Sequence, residues 1–411
     1  MGETVRMSQP ARVRVERLRE ASSATTLELF FDLVFVFALT QITALMAEDP
    51  TGRGLLRGTL LMMVVWWCWV GYSWVVNVVK ADEGLARVTM LVAMAAMFLV
   101  ALAIPESFED MPGGLHGPTV FAFGYLVLRG AHLALFWLIS GEDSGLRHQV
   151  GRFAPTMIGG TALLLFAANT SGTAQLLLWL AAVVADYGGT LAIGARGWRL
   201  NSARHFAERH GLMVIIGLGE SIVAIGVGVT HLAIAWPIVI AAILGLAVAA
   251  SLWWAYFDTT SLLGEHALSS VEGERRVSMA RAAFTYLHLP MMLGIVMLAL
   301  GLKKVLTYVG DTEHHALSDA LYGAPLWAMY GGSALYLLAH VGFAWRCFGA
   351  FKVYRLTAAV VLVALVPLVA NLPALASLGV LAVLLVTLNT TESIRFRTSR
   401  DEARHHDDED H

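Results

Sequence analysis

Charge is scarce in this chain. Only 14% of its 411 residues are Asp, Glu, Lys or Arg, against about 25% in a typical soluble domain. That excludes an ordinary water-soluble globular protein, and 57% hydrophobic types exclude a disordered one. Neither sign prevails, since 28 Lys and Arg face 31 Asp and Glu, so no basic surface awaits a nucleic acid. Cysteine is almost missing. Cys68 and Cys347 each lie inside or at the end of an apolar block, which excludes a disulfide framework and offers no zinc or haem spacing. No Gly-x-Ser-x-Gly, His-Glu-x-x-His or cysteine–histidine set occurs, so neither catalysis, a cofactor nor a metal is expected. A cleavable signal is also missing: the first 26 residues are polar and Arg-rich, and the first apolar helix is expected to direct insertion itself.

What is there is length of apolar sequence. Mean hydropathy is +0.66, and the apolar residues form blocks of about 20, enough to cross a hydrocarbon core. The fold class expected is an all-α polytopic membrane protein of about 12 transmembrane helices. The spans read as 27–46, 57–79, 86–104, 117–140, 153–170, 174–195, 208–230, 234–257, 277–300, 325–345, 355–371 and 373–391. The ninth is interrupted by Arg281, His288 and Pro290. With both termini in the cytoplasm, cytoplasmic segments hold twenty-three Lys and Arg and the outer loops four (Arg53, Arg57, Lys303, Lys304). That asymmetry follows the positive-inside rule.

The two halves resemble each other. Asp32-Leu-Val-Phe-Val-Phe-Ala38 matches Glu220-Ser-Ile-Val-Ala-Ile-Gly226, and Glu20 falls on Glu208 at the same offset of 188. Trp66-Trp67 matches Trp253-Trp254, Arg87-Val-Thr-Met90 matches Arg276-Val-Ser-Met279, and His132 matches His340. Asp186 falls on Asn389. The expected organisation is an Arg-rich cytoplasmic N-tail (1–26), a first six-helix repeat (27–195), a second (196–392) and a charged cytoplasmic tail (393–411). Six spans is an even number, so the two copies would be parallel repeats.

Ionisable residues inside apolar blocks cost about 2.5–3.5 kcal/mol each on insertion scales. Glu28 and Asp32 share one helix face, Glu220 is the expected repeat mate of Asp32, and Asp186 sits late in span six. Arg129 and Arg281 would be counter-ions, Arg129 for Glu28 or Asp32 and Arg281 for Glu220. His132 and His340 would form a proton-linked pair near the axis or serve as packed core histidines. Gly217, Ser221, Ala224 and Gly228 form a small-residue stripe, read as close helix contact or as the wall of a narrow path. The tryptophan clusters read as core or interfacial aromatics. The N-tail reads as an anionic-lipid contact, and the tail from His405 to His411 as a solvated end.

Three segments carry a family resemblance. Glu28-Leu-Phe-Phe-Asp-Leu-Val-Phe-Val-Phe-Ala38, Glu208-Arg-His-Gly-Leu-Met-Val-Ile-Ile-Gly-Leu-Gly-Glu-Ser221 and Trp253-Trp254-Ala-Tyr-Phe-Asp258 resemble the bacterial low temperature requirement A (LtrA) family. The resemblance runs from about Leu27 to Glu392 and implies a multi-pass membrane protein of the bacterial inner membrane. Its motif residues here are Glu28, Asp32, Glu208, Arg209, His210, Glu220, Ser221 and Asp258. A weaker likeness joins Phe30-Phe31-Asp32 to the Phe-Ser-Asp signature of endolysosomal potassium channels built from paired six-helix repeats. The second copy reads Leu218-Gly219-Glu220 instead.

The leading expectation is a transporter or channel for a small cation or proton, with Glu28, Asp32, Glu220 and Ser221 on the path. Arg129, His132, Asp186, Arg281 and His340 would be counter-ions or relays. The alternative is a membrane-resident sensor or lipid-interacting structural protein for cold adaptation, and an intramembrane enzyme comes third. Expected partners are the bilayer and a small inorganic ion or proton, with homo-oligomerisation open.

Overall fold

The computed structural model describes residues 23–141, 143–230 and 232–395. The Arg-rich N-tail residues, Glu20 and the tail from His405 lie outside the described residues. Fourteen α-helices and one π-helical turn account for the described regular structure, apart from one isolated bridge. They are α1 Thr26–Glu48, α2 Gly52–Val76, α3 Gly84–Leu102, α4 Gly117–Ser140, α5 Ser144–Ala167, α6 Gly172–Ile193, α7 Ala203–Gly228 and α8 Trp236–Phe257. The short α9 Thr260–Ser269 and α10 Gly273–Met279 precede the π turn Ala280–Tyr286. Then come α11 His288–Gly310, α12 Ala324–Phe348, α13 Val353–Val369 and α14 Ala374–Arg395. Helix is forced on such apolar runs, because lipid offers no partner for backbone N–H and C=O groups.

Among the described residues ten helical stretches are long and apolar enough to cross a membrane, with Trp236–Ser269 and Gly273–Gly310 taken as continuous. The chain is a multi-pass membrane protein. Helices also occupy the other two expected positions: α12 has 25 residues, and α13 is apolar but only 17 residues long.

Start signals explain several helix boundaries. Thr25, Thr51 and Ser202 each place a side-chain oxygen on the backbone N–H three residues ahead, at 3.3, 3.2 and 3.1 Å, satisfying orphan donors of the first turn. Ser202 moves the start of α7 five residues upstream of its expected position. The ninth expected span is broken where its sequence is least regular. Pro290 has no N–H and crowds the carbonyl four residues back, so the preceding turn widens. Leu287 N–H then bonds to Ala282 O, five residues back, at 3.2 Å. Beyond the proline α11 continues to Gly310, so Lys303 and Lys304 lie on the helix and not in an outer loop.

Packing is similar in the two halves. In the first, α1 packs on α2 and α3, α3 on α4, α4 on α5, α5 on α6, and α2 on α4 and α6. In the second, α7 packs on α8 and α11, α11 on α12, α12 on α13, α13 on α14, and α14 on α8. The halves meet where α1 and α2 pack against α7 and α11. α2 and α11 are the most deeply buried of the long helices. Leu and Val side chains on the outer faces of α3, α6 and α8 stay exposed, as lipid contact requires. Trp66, Trp67 and Trp69 are core residues, whereas Trp253 and Trp254 face outward.

The stripe on α7 is buried throughout, and its partner is α11. A Cβ added at Gly217 would stand 2.5 Å from Met292 Cε, and one at Gly228 2.9 Å from Lys303 O. Two glycines bring α11 and α12 closer still: a Cβ on Gly294 would meet Gly332 O at 2.5 Å. Small residues permit this approach, and close packing is what holds helices together in lipid.

Candidate functional site

A buried network of charge joins the first helix of each half. Glu28 lies in the first turn of α1, and its Oε1 accepts a 3.0 Å hydrogen bond from the Thr25 hydroxyl. Its Oε2 sits 2.8 Å from His205 Nε2 and 2.9 Å from Arg209 Nη1. One turn on, Asp32 Oδ1 accepts from Arg209 Nη2 at 2.7 Å and from the Trp69 indole at 2.8 Å. Glu28, Asp32, His205 and Arg209 are all fully buried. Two carboxylates thus share one guanidinium, and the His205 imidazole completes the cluster. Asn77 orients that imidazole: its amide lies 3.4 Å from His205 Nδ1 and donates to Ser202 O at 2.7 Å. Its oxygen accepts the Asn201 N–H at 2.8 Å. The geometry leaves two atoms without partners, Asp32 Oδ2 and Arg209 Nε.

Further along the same pair of helices, Thr40 donates to Glu220 at 2.6 Å. The contacts Glu28–His205, Asp32–Arg209 and Thr40–Glu220 climb both helices together, so α1 and α7 run parallel. Asp32 and Glu220 do not share a height: Glu220 sits opposite Thr40, eight residues or about 12 Å of helix axis beyond Asp32. The caps Thr25 and Ser202 and the contacts Glu28–His205 and Asp32–Arg209 share a spacing of 177 residues. The offset of 188 that aligned Asp32 with Glu220 therefore does not describe how these helices lie side by side. That offset matched the segments Asp32–Ala38 and Glu220–Gly226, while the caps set the helix starts.

The other expected pairs form differently. Arg129 on α4 binds Asp186 on α6 at 3.1 Å, not Glu28 or Asp32. Asp186 also accepts the Tyr125 hydroxyl at 2.6 Å. Arg281 donates to Thr190 O at 3.3 Å and is not paired with Glu220. His132 and His340 remain in separate halves. His132 lies against Tyr72 and Phe136, with ring centroids 5.4 and 5.1 Å away. His340 packs on Tyr336 and Tyr256, at 4.5 and 5.7 Å, and meets Arg355 Nη1 at 2.7 Å through Nδ1. Arg355 in turn binds Glu392 at 3.0 Å. Ser221 is buried with no partner for its hydroxyl.

The motif residues divide between charge and packing. Glu208 accepts the Ala24 N–H at 3.2 Å. His210 is enclosed by Phe206, Trp69 and His288 at 4.5, 5.0 and 5.1 Å, and its Nδ1 faces Phe206 O at 2.8 Å. Asp258 caps the end of α8. The sequence reading named Arg209 as a motif residue but not as a partner of Glu28 or Asp32, because at the edge of span seven it was counted with the cytoplasmic charges. His205, Asn77 and Thr40 drew no notice, and Trp69 was read only as a core or interfacial aromatic. The one available signal was Ser202, a capping residue that extends the helix back past both His205 and Arg209.

The family model for the bacterial low temperature requirement A protein (LtrA) matches residues 23–390. The chain belongs to the LtrA family. An uncharacterized protein of Rhizobium meliloti (strain 1021) is 27% identical over 331 residues, covering 76% of each chain. No solved structure matches the chain. All three segments that carry the LtrA resemblance contribute to the buried centre or its borders. Glu28, Asp32 and Arg209 lie in its charged network, His210 packs on Trp69, and Asp258 ends the helix that carries Tyr256.

Proposed function

We propose that this LtrA protein is a transporter or channel of the bacterial inner membrane that moves a small cation or proton along the seam between α1 and α7. Twelve spans would form two like-oriented six-helix repeats with both termini in the cytoplasm. The parallel course of α1 and α7 supports that arrangement, as do the matching packing of the halves and the paired Tyr72–His132 and Tyr256–His340 contacts. The observation that carries the transport reading is the burial of three carboxylates, Glu28, Asp32 and Glu220, on two adjacent helices at the join between the halves. Ionisable groups at such depth in membrane proteins commonly mark ion or proton routes. Asp32 Oδ2 and Arg209 Nε are unused atoms within that network. In this reading the residues bind and release the ion, and none performs covalent chemistry.

The test is flux. Protein reconstituted into sealed vesicles should pass K⁺, Na⁺ or H⁺ down an imposed gradient, and Asp32→Asn or Glu220→Gln should reduce the rate at least tenfold. Flux no greater than that of empty vesicles for all three ions would overturn the proposal.

A second reading is favoured by the number of bonds to Glu28, whose oxygens serve Thr25, His205 and Arg209. In a cold-adaptation sensor or structural protein these contacts would be a latch between the halves. Variants at Glu28 would then weaken the fold and the cold-growth phenotype together, with no flux to lose.

A further inference from the structure

We propose that an open groove between the two halves binds the phosphodiester of an anionic phospholipid. The groove stands apart from the α1/α7 network, and its occupant does not depend on transport. It lies where α6 of the first half and α12 of the second come to an end. Ala195 is two residues past the end of α6, and Arg346 two residues before the end of α12. With Glu274, Arg275 and Ser278 of α10 they line a space of about 430 Å³, ample for the phosphate and glycerol of a headgroup.

Two guanidinium groups from different helices meet there. Arg346 Nη2 donates to the Ser278 hydroxyl at 3.3 Å, which holds that side chain against α10. Arg275 lines the same space, three residues before Ser278. Arg281, three residues beyond Ser278, donates to Thr190 O of α6 at 3.3 Å and adds a third positive charge behind the groove. Glu274 is the acid on the lining, so positive charge prevails. Among the described residues no carboxylate pairs with Arg275 or Arg346. Arg275 is exposed and Arg346 half-buried, so both are hydrated when the groove is empty and both can reach a ligand inside it. Guanidinium groups grip phosphate oxygens through paired, charge-assisted hydrogen bonds.

The position favours a lipid over a soluble phosphate. Leu191, one turn before Ala195, is 55% exposed, and Trp345, next to Arg346, is 67% exposed. These apolar side chains beside the groove give acyl chains a surface to follow. A tryptophan near a helix end stands where amphipathic rings settle, at the headgroup level. Basic pockets between membrane-crossing helices at the bilayer surface are suited to anionic headgroups, because the charge of the lipid is already held at that depth. The groove also draws on both halves, so a phosphate seated in it bridges α6 to α10 and α12.

The experiment uses the full chain in a mild detergent, titrated separately with phosphatidylglycerol, phosphatidylcholine and glycerol 3-phosphate, with bound molecules counted by native mass spectrometry. Phosphatidylglycerol should bind at least about tenfold more tightly than phosphatidylcholine, as expected for an anion among several arginines. Arg275→Gln combined with Arg346→Gln should bring the two lipids within about twofold of each other. Arg87→Gln combined with Arg147→Gln removes the same charge near the starts of α3 and α5, and should leave the preference unchanged. If the groove variant fails to fold, Arg275→Gln alone decides, since that side chain is exposed, and the preference should fall about threefold or more. Equal affinity for the two lipids, a preference that survives in the groove variants, or an equal loss in the control pair would overturn the proposal. Glycerol 3-phosphate should bind far more weakly than phosphatidylglycerol. Equally tight binding would assign the groove to a free phosphate and overturn the lipid proposal as well.

Discussion

Asp32 on α1 accepts a 2.7 Å hydrogen bond from Arg209 on α7, across 177 residues of sequence and the join between two helical halves. Both side chains are completely buried. Removing such groups from water is costly, and their attraction offsets that cost only while both partners are present. Arg209→Gln should therefore destabilise the protein by about 3–5 kcal/mol, because it takes the guanidinium from two buried carboxylates. Thermal unfolding in a fixed detergent measures this. Combining Arg209→Met with Glu28→Gln and Asp32→Leu should recover much of the loss, since no buried charge then remains. A triple variant as unstable as Arg209→Gln would show that the network's value lies elsewhere.

The same logic applies inside the first half, on a smaller scale. Asp186 has two donors, Arg129 and the Tyr125 hydroxyl. Tyr125→Phe removes one hydrogen bond to a charged group while keeping the ring, at a cost of about 1.5–3 kcal/mol. Asp186→Asn should cost more, because it strands the buried Arg129. Unfolding midpoints of the two variants should fall in that order.

The contrast between these two sites shows what was legible in the sequence. The all-helical, multi-pass character was, because lipid imposes a length and an apolar composition that cannot be disguised. That Glu28, Asp32, Asp186 and Glu220 would be buried was legible for the same reason. Which charges meet was not. Arg129 could reach an acid on any neighbouring helix, and nothing in a one-dimensional pattern says that α4 faces α6. Arg209 stood at the edge of the expected span 208–230 and was counted with the cytoplasmic charges; α7 begins at Ala203, which carries Arg209 two turns into the helix. The break before α11 was visible as disorder in the pattern, but its form depends on how Pro290 redirects backbone bonds.

Glycine contact between α11 and α12 makes a prediction about packing alone. A methyl group at Gly332 would stand 2.7 Å from Gly294 O and 2.8 Å from Met297 Cβ. Neither neighbour is the far end of a flexible chain, so the helices must separate. Gly332→Ala should cost about 1–3 kcal/mol, the usual range for overpacking. Gly331→Ala has nothing within 4 Å, and it should fold with wild-type stability. A difference in midpoint between the two variants measures the contact directly.

Outside the helical core, the loop after α11 holds a pair that should respond to pH. His314 Nδ1 lies 2.9 Å from Asp311 Oδ2. The hydrogen bond and the charge of Asp311 raise the imidazole above its ordinary value of 6.5. The hydrogen bond from His314 lowers Asp311 below its ordinary 3.8. A raised histidine contributes stability below its unfolded pKa and loses it as pH climbs through the folded one. A lowered aspartate contributes above its unfolded pKa and loses that as pH falls through its folded one. The pair should thus be fully formed between the two unfolded values and weaken on either side. Both groups are solvated, so the effect belongs to the loop and not to global stability. A ¹H–¹⁵N titration of the His314 ring should show its midpoint falling towards 6.5 in Asp311→Asn. An unchanged midpoint would mean that the contact carries no charge coupling in solution.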